Sequence, residues 1–191
     1  TSAIDGRVVE MMRQSDGSPF MVFQNPVSGT LEAAYWADTE WVTGTIDSVG
    51  QDEIGLSLVL DRYDVPYVVY QDKDDDVMKI ATLDAAGWII ETVDTDNGAG
   101  TWCSISIADN GEIGIAYYVS GTGCLKFAKY TPSTSKTDNK FTWSKFIVDD
   151  SGNVGMYCSL KYSSDWNEPR IAYYSSTDDV LKIASKFNGD T

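Results

Sequence analysis

Short apolar stretches alternate with polar turns along the whole chain, and the pattern recurs at a fixed spacing. Trp41 and Trp88 occupy matching positions about 47 residues apart. A divergent first copy and three closely aligned copies of the pattern begin at Met11, Ser57, Ser104 and Ser159. A fixed period of this length is typical of repeat architectures. The sequence therefore predicts four copies of one structural unit.

Each repeat is predicted to contain four short strands. In the second repeat these strands cover 57–60, 67–71, 77–81 and 88–94. β-Branched and aromatic residues alternate with polar residues in them, and Asp, Asn, Gly and Pro separate them, as expected for strands and turns. Four-stranded units of this length are typical of a β-propeller blade. The prediction is an all-β, four-bladed β-propeller.

The chain is expected to form a single propeller domain with blades over about 6–47, 48–94, 95–149, and 150–191 together with 1–5. The last repeat ends before its fourth strand, and the N-terminal residues Thr1–Asp5 resemble the end of that strand. We expect Thr1–Asp5 to complete the last blade, because closure removes exposed strand edges. Two alternatives stay open. The strand is exchanged between copies to give a homo-oligomer, or the chain is a fragment of a longer propeller.

Charge and hydropathy exclude several partners. The chain has 29 acidic and 14 basic residues and a formal net charge of −15. Phosphate binding needs clusters of Lys and Arg, so nucleic acid is not expected as a partner. No apolar run approaches the roughly 20 residues of a membrane span, so membrane insertion is not expected either.

Histidine is absent from the sequence, which excludes Ser-His-Asp and Cys-His catalytic arrangements and the usual zinc sites. The three cysteines are Cys103, Cys124 and Cys158. Cys103 and Cys158 occupy matching positions in adjacent repeats. A disulfide between them and two small buried thiols are both compatible with this spacing.

The pattern Ser-Leu-x-Leu-Asp … Pro-x-Val-x-Tyr … Met-Lys-Ile-Ala … Trp … Glu-Thr-Val-Asp over 57–94 resembles the propeller repeats of bacterial secreted and surface proteins, which are similar in outline to sialidase-like blades. The resemblance covers essentially the whole chain and implies an extracellular or cell-surface location. It implies little about activity, because propellers serve as lectins, adhesins, hydrolases and scaffolds. The sialidase Asp-box and arginine cluster have no counterpart here, so sialidase activity is not expected.

Acidic loops are predicted on one face of the propeller, where calcium is a possible cofactor and no other cofactor is expected. The weak candidate ligands are Asp94, Asp96, Asp149 and Asp150. Asp94-x-Asp96-x-Gly98 resembles half of a calcium loop but lacks the distal Glu. The alternative is that these are solvated turn aspartates that keep the protein soluble.

Aromatic residues in loops are the second group of candidates. The predicted ligand-binding residues are Tyr63, Trp102, Tyr157 and Trp166. Exposed rings beside carboxylates and amides bind sugars by stacking on their apolar face. The alternative is structural packing. Structural packing is also expected for Trp41, Trp88 and Trp143, and a polar strand face for Lys79, Lys126 and Lys182.

These observations predict a non-enzymatic binding module of a secreted or cell-surface protein, which recognises carbohydrate or a protein partner through its propeller loops. One alternative is a structural subunit that assembles into rings or fibres by strand exchange. The other is a carboxylate-based glycosidase. No pair of acids stands out from the rest, so no catalytic residue is assigned.

Overall fold

The structure is a computed structural model that describes residues 6–130, 142–164 and 167–185. Over these residues the chain forms fifteen β-strands in four antiparallel sheets and no helix, which confirms the predicted all-β class. In particular, this part of the chain has no helix able to cross a membrane. The predicted closing strand Thr1–Asp5 and the candidate residue Trp166 lie outside the described residues. The chain divides into two compact units, Thr1–Thr95 (unit 1) and Asp96–Thr191 (unit 2).

Unit 1 contains two four-stranded sheets whose strands pair in chain order. Sheet 1 is formed by β1 (Arg7–Arg13), β2 (Pro19–Asn25), β3 (Thr30–Ala37) and β4 (Glu40–Ser48). Sheet 2 is formed by β5 (Leu56–Leu60), β6 (Pro66–Asp72), β7 (Val77–Asp84) and β8 (Gly87–Asp94). Each sheet therefore lies within one sequence repeat.

Unit 2 also contains two sheets. Sheet 3 is formed by β9 (Ala99–Ile107), β10 (Ile113–Val119), β11 (Cys124–Tyr130) and β12 (Ser144–Asp149). Sheet 4 is formed by β13 (Val154–Tyr162), β14 (Pro169–Ser175) and β15 (Val180–Ser185). β9 and β13 begin five residues earlier than predicted, because the glycines Gly100 and Gly155 adopt positive φ and let the strand continue through an irregular segment.

Within each unit, the third strand of one sheet packs against the first strand of the next. In unit 1, Leu31 and Ala33 of β3 share one apolar cluster with Leu56 and Leu58 of β5. In unit 2, the matching cluster joins Leu125 and Phe127 of β11 to Cys158 and Leu160 of β13. Residues two apart in a strand point to the same side, so the alternating sequence pattern produces this contact directly. Full burial of a Leu or Phe side chain contributes about 1.5–3 kcal/mol.

A carboxylate at the end of the fourth strand ties sheet 1 to sheet 2. Tyr70 donates a hydrogen bond from its hydroxyl to Asp47 Oδ2 at 2.7 Å, and Lys79 Nζ lies 3.4 Å from the same oxygen. Lys79 also pairs with Asp72 and, at 3.3 Å, with Asp75. Burial and then the Asp47 carboxylate raise the pKa of Tyr70, so its hydroxyl remains a donor. This arrangement is called the Asp–Tyr–Lys link below.

The same link recurs in unit 2. Tyr173 donates to Asp149 Oδ2 at 2.7 Å, and Lys182 Nζ lies 3.6 Å from that oxygen. Burial acts to raise the pKa of Asp149, but hydrogen bonds from Ser151 and Tyr173 and the charge of Lys182 together lower it. A β-bulge precedes the aspartate in both sheets and turns its carboxylate toward the next sheet. The lysines therefore do more than form a polar strand face.

Removing the Tyr70 hydroxyl should destabilise the protein. Tyr70 is fully buried, and Tyr70→Phe removes the hydroxyl that donates to Asp47 Oδ2. We expect a loss of about 2 kcal/mol in the free energy of unfolding, measured by urea denaturation. The matched control is Tyr35→Phe at an exposed position of β3, which should change it by less than about 0.5 kcal/mol. Equal effects of the two substitutions would contradict a structural role for the link.

Asp149 should contribute to the acid sensitivity of folding. Its pKa is lower in the folded protein than its ordinary value of 3.8. The stabilisation is therefore present above pH 3.8 and is lost as the pH falls through the folded-state pKa. Asp149→Asn should lower stability at neutral pH and reduce the loss of stability below pH 4, followed by denaturant titration at each pH. The control, exposed Asp150→Asn, should keep the wild-type pH profile.

Candidate functional site

Trp102 and Tyr157 occupy matching positions on adjacent first strands of unit 2. Trp102 lies in β9 and Tyr157 in β13, and each comes two residues after a glycine with positive φ. The pairing of both strands with their neighbours is irregular at this point. Such bulges redirect a side chain that would otherwise follow the strand's alternation. The local backbone thus directs two large aromatic rings to the same end of sheets 3 and 4.

Two hydrogen bonds hold these strands side by side. The Cys158 thiol donates to the carbonyl oxygen of Trp102 at 3.5 Å, and the Leu160 N–H donates to Ser104 Oγ at 3.0 Å. Burial raises the pKa of Cys158 to about 12, so the thiol keeps its proton. All three cysteines are thiols, and Cys103 and Cys158 form no disulfide. The Cys158 thiol holds the backbone of β13 beside that of β9 beneath the aromatic rings.

Four rings form a continuous row, called the aromatic cluster, which consists of Tyr118, Trp102, Tyr157 and Tyr174. The Trp102 ring centre lies 5.3 Å from that of Tyr118 and 4.9 Å from that of Tyr157. The Tyr157 and Tyr174 centres are 6.4 Å apart. All three pairs are tilted, as aromatic pairs prefer. Tyr118 is buried, Trp102 is half-buried and Tyr157 is 68% exposed, so the row runs from the core to solvent.

Polar groups flank the cluster. Tyr118 donates from its hydroxyl to Asn153 Oδ1 at 2.5 Å, and Tyr174 donates to Asp179 Oδ1 at 2.6 Å. The hydrogen bond to Asp179 raises the pKa of Tyr174, and burial raises that of Tyr118. Thr177 Oγ1 accepts from the backbone N–H of Asn153 at 2.7 Å. Amide, carboxylate and hydroxyl groups are therefore held in place beside the rings.

Tyr157 has a strained backbone. Its φ is 53°, in the left-handed region that costs a non-glycine residue about 1–2 kcal/mol. A bulky residue is rare there, and strain of this kind is concentrated at functional sites. Since most of the Tyr157 ring faces solvent, its packing gives little stability in return. Val8, at the matching position of sheet 1, has the same left-handed backbone with a φ of 46°, so the conformation belongs to the repeat and in unit 2 it presents a large exposed ring.

Unit 1 lacks this cluster. By alignment, Val8 and Gly55 replace Trp102 and Tyr157, and Gln24 and Gln71 replace Tyr118 and Tyr174. Gln24 is buried and donates from Nε2 to the carbonyls of Gly50 and Asp52, at 3.0 and 2.6 Å. The same repeat therefore displays rings in unit 2 and uses amides to hold a loop in unit 1.

That loop borders a shallow polar depression of about 440 Å³ in unit 1. Its lining residues are Ser28, Gly29, Ser48, Gly50, Gln51, Asp52, Lys73 and Asp74. It has no aromatic or aliphatic wall. Exposed rings that could stack on an apolar ligand face are therefore present in unit 2 and not in this depression.

The other predicted ligand-binding residues are not part of the cluster. Tyr63 lies in the exposed turn between β5 and β6, where the Arg62 guanidinium covers its ring at 4.9 Å. That turn is at the far end of β5 from the position that aligns with Trp102. Trp166 lies outside the described residues. Sequence reasoning missed Tyr118 and Tyr174; the signal was the doubled tyrosine at 117–118 and 173–174, which the other repeats lack.

The calcium candidates have other partners. Asp149 belongs to the Asp–Tyr–Lys link, and Asp96 pairs with Lys126. Asp94 is buried at the end of β8 and accepts a hydrogen bond from Thr95, while Asp150 is exposed. Across 6–130, 142–164 and 167–185, no three acidic, histidine or cysteine side chains are grouped for a metal ion. Calcium binding at these aspartates stays a prediction from the sequence.

No family model matches the sequence, and no curated protein matches it. Several solved structures are similar to this chain. One of them is a fucose lectin from Kordia zhangzhouensis in complex with methyl-fucoside, with a TM-score of 0.50 and 16% sequence identity. The alignment covers 72% of this chain and 97% of the lectin chain. At this level of identity the likeness concerns the fold alone.

Replacing Tyr157 should show whether its ring contributes to the stability of the fold. Asn tolerates positive φ far better than Tyr does. Tyr157→Asn should therefore leave the free energy of unfolding unchanged or raise it by up to about 1 kcal/mol, as measured by urea denaturation. Most surface replacements of a well-packed ring lower stability, so a loss above about 2 kcal/mol would show that Tyr157 serves packing instead.

Proposed function

We propose that this protein is a non-enzymatic carbohydrate-binding module whose binding surface is the aromatic cluster of unit 2. The observation that carries the proposal is the tilted ring contact between half-buried Trp102 and exposed Tyr157, flanked by fixed polar groups. Sugars present an apolar face of C–H groups and a rim of hydroxyls. Tryptophan and tyrosine rings match the face, and amide and carboxylate groups match the rim.

The ligand class that fits best is a neutral sugar. The chain carries a net charge of −15, and unit 2 contains a single arginine, Arg170. A sugar carboxylate or sulfate would be repelled by this charge and would lack the bidentate partner such groups prefer. Asp179 and Asn153 can accept hydrogen bonds from neutral hydroxyls when these replace the tyrosine hydroxyls that now donate to them. Methyl-fucoside, the ligand of the structurally similar lectin, is a suitable first probe.

We also propose that the four sheets are the blades of a propeller and that the protein is extracellular or at the cell surface. One sheet per repeat, and the same third-strand to first-strand contact in both units, support four blades. Completion of the last blade by Thr1–Asp5 rests on the sequence pattern alone. An extracellular or cell-surface location rests on the resemblance to surface-protein repeats and agrees with a lectin-like role.

The glycosidase alternative has weaker support. The carboxylates that meet in unit 1 are those of Asp47, Asp72 and Asp75, and all three surround Lys79. A general acid needs a raised pKa and free access to the glycosidic oxygen. Each of these carboxylates is instead engaged in an ion pair with the Lys79 ammonium. These acids therefore serve the link between sheets.

Trp102→Ala should weaken sugar binding without unfolding the protein. A glycan array identifies the ligand, and calorimetric titration with that glycan and with methyl-fucoside measures its affinity. We expect at least a tenfold loss, equivalent to about 1.4 kcal/mol. The matched control is Trp36→Ala in unit 1. Trp36 makes an edge-to-face contact with Trp41, with ring centres 5.5 Å apart, outside the proposed surface.

The control should bind as the wild type does. A wild-type protein that binds no glycan, or a Trp102→Ala variant that binds as well as the wild type, would refute the proposal. Retention of the far-UV circular dichroism spectrum distinguishes loss of the site from loss of the fold.

A further inference from the structure

The last strand of the described chain exposes an apolar face that is buried in the matching strands. On β15, Leu181 is 83% exposed and Ile183 is 78% exposed. Their counterparts in sheet 3, Leu125 and Phe127, are fully buried against β13. Residues two apart share one side of a strand, so Leu181 and Ile183 form one continuous surface. This surface is called the β15 face.

The first strand exposes the complementary surface. On β1, Val9 is 61% exposed and Met11 is 60% exposed. The counterparts of these residues on β5 are Leu56 and Leu58, which are buried in the contact with β3. Val9 and Met11 together are called the β1 face. Inside each unit, the sheet-to-sheet contact joins a third-strand face to a first-strand face. The β15 face is an exposed third-strand face, and the β1 face is an exposed first-strand face.

We propose that a second copy of this chain binds head to tail, with its β1 face covering the β15 face. The required surface is the one that β5 and β13 supply within the units, and each copy of the chain carries one example of it on β1. Closure within one chain, as expected from the sequence repeats, is the alternative outcome, which a mass of 21.0 kDa at every concentration would show. The two surfaces differ, so the contact is heterologous, and repetition leads to a closed ring or a filament. Sheet 4 also has three strands within 142–164 and 167–185, which leaves β15 as its edge there.

The contact between copies lacks the Asp–Tyr–Lys link. In sheet 1, Phe23 replaces the tyrosine and Glu32 replaces the lysine. Glu32 accepts hydrogen bonds from Asn25 and Thr30, both at 3.0 Å, and its charge repels an incoming aspartate. The interface is therefore apolar and reversible. Because each copy carries a net charge of −15, screening by salt should strengthen the association.

Light scattering over a concentration series at low and high salt tests this proposal on the whole chain. We expect a mass above the 21.0 kDa of one chain, increasing with concentration and with salt. Leu181→Glu and Met11→Glu should each lower the mass at a given concentration. The matched control is Ile147→Glu on β12, an exposed apolar position outside both faces, which should associate as the wild type does.

Mixing the two variants distinguishes a head-to-tail contact from a symmetric one. Leu181→Glu keeps an intact β1 face and Met11→Glu keeps an intact β15 face. Their equimolar mixture should form a heterodimer that neither variant forms alone, and it should grow no further. A wild-type mass of 21.0 kDa at every concentration, or a mixture that behaves as two separate monomers, overturns the proposal.

The association is independent of sugar binding and can fail or succeed separately. Trp102→Ala should keep the wild-type mass profile, because Trp102 lies outside both faces. Circular dichroism spectra and melting temperatures of the Glu variants should match those of the wild type at a concentration where it is monomeric. Loss of folding in every β1 and β15 variant, together with a wild-type protein that stays monomeric, also counts against the proposal.

Discussion

The contact between successive sheets is the interaction on which the rest of this structure depends. It has an apolar part, in which a third strand packs against the next first strand, and a polar part, in which an aspartate is held by a tyrosine and a lysine. The apolar part supplies most of the stabilisation and has no preferred register. The Asp–Tyr–Lys link is directional, so it fixes how far one sheet slides along the next. The β-bulge before the aspartate is the backbone feature that makes both parts possible at once.

The two units carry different side chains on this shared framework. Where unit 1 has glutamines that hold a loop, unit 2 has tyrosines and a tryptophan in a row that reaches solvent. Trp102 packs against the sheet-to-sheet cluster of unit 2 as Val8 does in unit 1, so the framework accepts side chains of different size at this position. The strain at Tyr157 is sustained by the buried neighbours Cys158 and Leu160, which lock β13 against β9. Stability supplied by the repeat thus supports a locally unfavourable, exposed ring.

The terminal strands carry the same two kinds of surface. In each unit the first strand of one sheet covers the third strand of the sheet before it. The matching residues are exposed at Val9 and Met11 of β1 and at Leu181 and Ile183 of β15. A module with an exposed aromatic cluster gains avidity when several copies associate. The proposed sugar binding and the proposed association of copies are therefore compatible in one architecture.

The sequence by itself determined the all-β class, the four repeats and nearly every strand, because strand alternation and turn residues are local properties of the chain. It also singled out Trp102 and Tyr157, since both precede matching cysteines in adjacent repeats. Only the tertiary structure decided that these two rings meet, that Tyr118 and Tyr174 extend the row, and that Tyr63 is not part of it. Ring contacts depend on bulges and positive φ angles, which the residue pattern does not specify. The partners of Asp149 and Lys182 were likewise decided by tertiary packing, because an ion pair between strands far apart in sequence forms only when the sheets are stacked.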